Sequence, residues 1–137
     1  MGLYDAYDRN ARNVVLTDGQ GNVTEGPGFN LFVVQNDHAA TPARGMLEGV
    51  TRQTAIELLA EMGTETILWP VTIEEVVTAE EVFITSTAGG IMAVTTIDGR
   101  PVGNGHVGKL TRDLTDHYWE AHSREGWSDR VEDVIRR

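Results

Sequence analysis

The chain has 137 residues, 40% of them hydrophobic, no cysteine and a formal net charge of −10. That length matches one core of ordinary size. The missing cysteines exclude disulfides and thiolate metal sites and fit a reducing compartment, while the acidic balance argues against DNA or RNA, whose binding needs basic residues to neutralise phosphates.

No apolar run approaches the ~20 residues of a membrane span, and the charged start MGLYDAYDRN lacks the apolar stretch of a signal peptide, so the chain reads as soluble and cytoplasmic. LYDAYDR has helical character with no capping signal before it, like the tail of an element begun elsewhere. NVVLTD reads as a strand, DGQGN as the turn of a hairpin and NVTE as its return. FNLFVVQN is a continuous apolar run of strand length, as expected of a strand covered on both faces.

EGVTRQTAIELLAEMG is the clearest helix, with Val50, Ala55, Ile56, Leu59 and Met62 on one face and Gly63 as the stop. TETILWP follows as a strand, TIEEVVTA as a short helix and EVFITST as a second apolar strand. AGG is a tight bend, and IMAVTTIDGRPV a hairpin-like continuation turning at DGR. GKLTRDLTDHYWEAHSREG forms the last long helix, with Leu110, Leu114, His117, Tyr118 and Ala121 along one side; WSDRVEDVIRR extends it or lies loose. No internal repeat, low-complexity tract or linker interrupts this order, which predicts a mixed α/β or α+β domain rather than a doubly wound sheet.

Three stretches join glycine to hydroxyl residues at junctions where backbone N–H groups escape the ladders: TEGPG, LEGVTR and STAGG. In LEGVTR the amides of Val50 and Thr51 fall in the first turn of a helix, which makes either an anion site or an ordinary helix start capped by Thr51. In STAGG, Ser86 and Thr87 end a buried strand, where α/β sheets often hold ligands, or simply form a β-turn. Glu25 is either a buried acid that needs a partner or an exposed turn residue.

The other chemistries fail. His117 and His122 are five apart and share no helical face, and His38 and His106 fall in loops, so no metal is assigned. G-x-S-x-G is absent, and no G-x-G-x-x-G joins a strand to a helix. Ten of the eleven basic residues are arginines, which leaves Lys109 as the one lysine.

In order, LTDGQGNVTEGPGFNLFVV, TPARGMLEGVTRQTAIELLAEMG, EEVFITSTAGGIMAVTTIDGRPVGNG and GKLTRDLTDHYWEAH resemble the class IV, or fold-type IV, aminotransferases that use pyridoxal 5′-phosphate. Within that class the chain is most similar to branched-chain amino acid aminotransferases and (R)-selective amine transaminases, over roughly residues 3 to 122. The resemblance implies the C-terminal large domain of the D-amino acid aminotransferase-like fold, a pseudo-barrel of strands flanked by helices, spanning residues 1–137.

It also implies roles. Glu25 of the TEG motif would bond the pyridine nitrogen of the cofactor and keep it protonated, in a charge-assisted pair that offsets the burial of the acid. Val50, Thr51, Ser86 and Thr87 would hold the phosphate, Thr87, Ala88 and Gly89 would face the substrate carboxylate, and Asn30 would support the ring from behind.

The Schiff-base lysine and the small N-terminal domain of the family precede the first helix seen here, so these residues are expected to hold no catalytic lysine and to be inactive alone. Lys109 corresponds to a loop before the last helix and is expected at the surface. The whole enzyme would be a homodimer that moves an amino group from an amino acid or amine to a 2-oxo acid. An aminodeoxychorismate lyase shares the fold and cofactor, though STAGGIM favours transfer; a non-catalytic module that keeps only the phosphate cradle is the third reading.

Overall fold

The structure is a computed structural model that describes residues 2–135. A strand with no polar interruption needs cover on both faces, and NLFVVQ is buried at its first five positions. This strand, β1 (Asn30–Gln35), is the middle of a five-stranded sheet of order β3-β2-β1-β4-β5. Its companions are β2 (His38–Pro42), β3 (Thr66–Trp69), β4 (Glu81–Ser86) and β5 (Gly90–Val94). Every pairing is antiparallel except β2 with β3. The mixed α+β class expected from the sequence is the one observed.

Alternation along the strands sorts the apolar residues to two cores. Phe32, Val34, Ala39, Phe83 and Ile91 face the helices α2 (Val50–Glu61) and α4 (Lys109–Ala121), packing with Ala55, Leu58, Leu59, Leu114 and Ala121. Phe32 and Phe83 are direct cross-strand partners whose rings stack 4.6 Å apart. Leu31, Val33, Val82 and Ile84 face the other way, onto Val23, Phe29 and Val71. Val76 of α3 (Ile73–Thr78) and Val102, beyond the ribbon of β6 (Thr96–Ile97) and β7 (Arg100–Pro101), close that side. α3 opens with a full capping box between Thr72 and Glu75.

Several expectations need correction. NVVLTD forms no strand. Its hairpin survives as one bridge, Thr17 to Val23, with Leu16 N–H donating to Glu25 O. The Asp18 carboxylate takes the amides of Gln20 and Asn22, so a side chain closes the turn before a ladder develops. β2 went unread because HAATP is short, small and ends in proline; it forms through the two-residue turn Asn36–Asp37, both at positive φ.

α2 is also rotated from the expected face. Val50 is 82% exposed and Ile56 half-buried, whereas Thr51, Arg52, Ala55, Leu58 and Leu59 are buried. The tail carries a separate short helix, α5 (Val131–Ile135), and the start a single helix, α1 (Gly2–Asp8). Among the described residues no helix is long and apolar enough to cross a membrane.

Candidate functional site

The antiparallel pairing of β1 with β4 decides where the three glycine-hydroxyl junctions fall. Asn30, the first residue of β1, lies opposite Thr85, next to last in β4. The segment leading into β1 from Glu25 and the bend leaving β4 at Ser86 therefore share one end of the sheet. α2 begins at the same end, because Gly49 packs on Asn30 so closely that a Cβ there would sit 2.4 Å from Asn30 Oδ1. TEGPG, LEGVT and STAGG thus converge.

Glu25 is half-buried rather than free in solvent. The Leu47 amide donates to its Oε2 at 2.8 Å, and Asn30 Nδ2 approaches the same oxygen at 3.4 Å while donating more closely, at 2.8 Å, to Leu47 O. Both contacts fall on one oxygen, which leaves Oε1 without a donor among the described residues. Asn30, itself buried, works as the spacer that holds the 43–49 loop and Glu25 in register.

The two long helices begin alike and differ in what meets them. Both have glycine at the N-cap, extended and without a side-chain cap, so the expected capping role of Thr51 is not observed. At α4 the Glu81 carboxylate fills the gap, accepting from Leu110 N–H at 3.1 Å, Thr111 N–H at 2.8 Å and Thr111 Oγ1 at 2.7 Å. Gly108 is needed there, since a Cβ would land 1.9 Å from Glu81 Cδ. At α2 the first bond is Gln53 N–H to Gly49 O, and the amides of Val50, Thr51 and Arg52 meet no acceptor among the described residues. One helix start is neutralised internally; the other is open to an anion.

The bend after β4 offers further donors. Thr87 and Ala88 are exposed, and their amides have no acceptor among the described residues. The Gly89 amide, expected to be available to a ligand, is instead taken by Ser86 Oγ at 3.0 Å, which leaves the hydroxyl proton of Ser86 to donate outward. Thr85 Oγ1 is buried without a partner, on the sheet face it shares with Asn30. Between the start of α2 and the end of α4 lies a cavity of about 180 Å³ lined by Val50, Thr51, Thr54, Tyr118, His122 and Trp127.

Lys109 stands elsewhere. It begins α4 next to the residues bonded to Glu81, which opens β4, and five strand steps of ~3.3 Å separate that end from Ser86 by about 17 Å. Its side chain is exposed, and Asp113, at 2.5 Å, holds the ammonium above its ordinary pKa. Among the described residues no three acidic, histidine or cysteine side chains gather as a metal site. Sequence reasoning passed over Arg52, a buried guanidinium in the first turn of α2; its signal was a cation placed at the positive end of a helix.

Residues 3–97 match the family model described as amino-transferase class IV. The chain is 39% identical over 122 residues to the Aquifex aeolicus protein named probable branched-chain-amino-acid aminotransferase, covering 87% of this chain and 38% of that one. It is 33% identical to the branched-chain-amino-acid aminotransferase of Pseudomonas aeruginosa, covering 88% and 39%. Among solved structures, the Escherichia coli branched-chain amino acid aminotransferase superposes with a TM-score of 0.88 at 30% identity, over 93% of this chain and 45% of that chain. A second branched-chain amino acid aminotransferase, complexed with N-(5′-phosphopyridoxyl)-L-glutamate, superposes with a TM-score of 0.87 at 32% identity, over 92% and 44%. The chain therefore spans about two fifths of the length of the curated relatives named here.

Proposed function

Because the chain belongs to the class IV aminotransferase family, we propose that it is the pyridoxal 5′-phosphate-binding domain of an enzyme that moves an amino group from a branched-chain type amino acid, or an amine, to a 2-oxo acid. One observation carries this reading. A half-buried carboxylate with one undonated oxygen and an uncapped helix start sit at the same end of one sheet, joined through Asn30. A pyridine ring bearing a phosphate ester needs such a pair, an acceptor for its protonated nitrogen and donors for its phosphate.

When bound, the cofactor supplies an electron sink for the substrate's Cα. The residues of the chain do the rest by placement. Glu25 holds a proton at the ring nitrogen, and its own orientation is set by Leu47 and Asn30. The Val50 and Thr51 amides, with the hydroxyls of Thr51, Ser86 and Thr87, take the phosphate oxygens. The exposed Thr87 and Ala88 amides receive a substrate carboxylate, and Gly89 keeps Ser86 in place. Lys109 has no part at this end of the sheet, so no residue of the chain is assigned the proton transfer at the reacting carbon.

The relatives named above are aminotransferases, which favours transfer over the lyase chemistry that shares the fold. Assembly as a homodimer belongs to the same proposal; Leu47 and Val50, apolar and exposed beside the cradle, suit a covering domain or subunit. Titration with pyridoxal 5′-phosphate and pyridoxine 5′-phosphate tests the reading. Saturable binding of both is expected, weakened by Thr51→Ala, with the absorbance of bound cofactor showing a less protonated ring in Glu25→Gln. Binding that neither substitution changes would sink the assignment.

A further inference from the structure

We infer that Arg52 is a positioning residue for the phosphate end of the ligand, a buried cation whose counter-charge is the bound ester; this rests on the cofactor reading above. Arg52 is only 4% exposed. Nη2 donates to Pro42 O at 3.0 Å and Nε lies 3.4 Å from Thr41 Oγ1, which in turn donates to Leu31 O at 2.8 Å. No ion pair among the described residues includes it.

Two features make this placement costly in the protein alone. A guanidinium removed from water without a carboxylate at its side gives up solvation that neutral oxygens restore only in part. A cation in the first turn of a helix also stands against the positive end of the dipole. Burial pushes the Arg52 pKa down, and the exposed Glu48 offsets part of this from a distance without bonding to it.

The missing charge has a place to sit. In the same turn the Val50 and Thr51 amides lack acceptors, and Thr85 Oγ1 is buried and unpartnered on the sheet face that α2 covers. A phosphate dianion on those amides reverses the local field and turns Arg52 from a liability into a counter-ion. Through Pro42, Arg52 also anchors the start of the loop whose Leu47 amide fixes Glu25. One side chain thereby couples the phosphate end of the cradle to the end that receives the ring nitrogen.

The test uses Arg52→Gln, which removes the charge, and Arg52→Lys, which keeps the charge and gives up the planar fork. The affinities of pyridoxine 5′-phosphate, pyridoxine and inorganic phosphate are measured by calorimetry on the full protein. ³¹P NMR of the bound ester is followed against pH.

Arg52→Gln is expected to weaken both phosphates by about tenfold while leaving pyridoxine unchanged, as loss of a nearby unit charge requires. The bound ester should then take up its second proton at higher pH. Arg52→Lys should restore most of the preference for the ester that Arg52→Gln loses, and if Arg52→Gln does not fold, Arg52→Met, which also removes the charge, is read in its place. Equal weakening of pyridoxine and its phosphate in the charge-removing variant, or an unmoved ³¹P titration there, would assign Arg52 to scaffold only and overturn the inference. A wild-type protein that binds pyridoxine as tightly as its phosphate would instead overturn the cofactor reading itself.

Discussion

Replacing Gly49 by alanine tests the contact that joins Glu25 to α2. The backbone there, φ −66° and ψ 143°, is open to any residue. A less flexible unfolded chain would favour alanine by about 0.4–1 kcal/mol, an advantage offset by the preference for glycine over alanine at an N-cap. Its Cβ, however, would stand 2.4 Å from Asn30 Oδ1, and Asn30 is 6% exposed with little room to retreat. Overpacking of this kind costs about 1–3 kcal/mol, and displacing Asn30 forfeits its 2.8 Å bond to Leu47 O, worth about 1 kcal/mol.

The net expectation is a loss of about 2–3 kcal/mol in urea unfolding followed by tryptophan fluorescence. In an Asn30→Ala background the obstruction is gone, so Gly49→Ala should become close to neutral. A cycle in which the two substitutions simply add, or a single variant within about 0.5 kcal/mol of wild type, would show that Asn30 is not the reason for glycine at this position.

Other perturbations have equally definite outcomes. Glu81→Ala strips three donors at the start of α4 of their acceptor and should cost about 2–4 kcal/mol, with Glu81→Gln losing roughly half as much because one oxygen remains. Phe83→Ala removes a fully buried ring stacked on Phe32 and should cost about 3–5 kcal/mol by the same unfolding assay. Glu61 is held below its ordinary pKa by hydrogen bonds from Arg124 at 2.8 and 3.0 Å. A depressed folded value means that this contribution is present above the ordinary carboxylate range and lost as pH falls through the folded value. The small stability gap between wild type and Glu61→Gln at neutral pH should therefore close as pH falls through the folded value, which unfolding curves along a pH series would measure.

The parts of this fold legible from sequence were those where hydrophobicity alone decides. β1 and β4 read as unbroken apolar runs because both of their faces are covered. The three junctions could be picked out because glycine and hydroxyls recur at strand and helix ends, but their convergence depends on Asn30 lying opposite Thr85, and register leaves no trace in composition.

The first turn of α2 departs from the periodic expectation. It buries Thr51 and Arg52 where the periodic pattern expects apolar residues, and it leaves Val50 outside. The Gly89 amide escaped for a smaller reason, since a serine three residues earlier could equally have faced solvent. NVVLTD misled because its β-branched residues promise a strand, while Asp18 closes the turn locally instead.

The opposite ends of β4 answer to different demands. At one, Glu81 moors α4; at the other, about 17 Å away, Thr87 and Ala88 stand exposed in the bend after Ser86. For directed evolution this is a practical map: libraries at the exposed Thr87, Ala88, Ala43 and Arg44 would probe the proposed ligand contacts while the scaffold stays intact, with Gly45 kept because its φ is +74° and a Cβ would stand 2.7 Å from Thr24 Cγ2, whereas randomising around Glu81 and Gly108 would mainly yield insoluble clones.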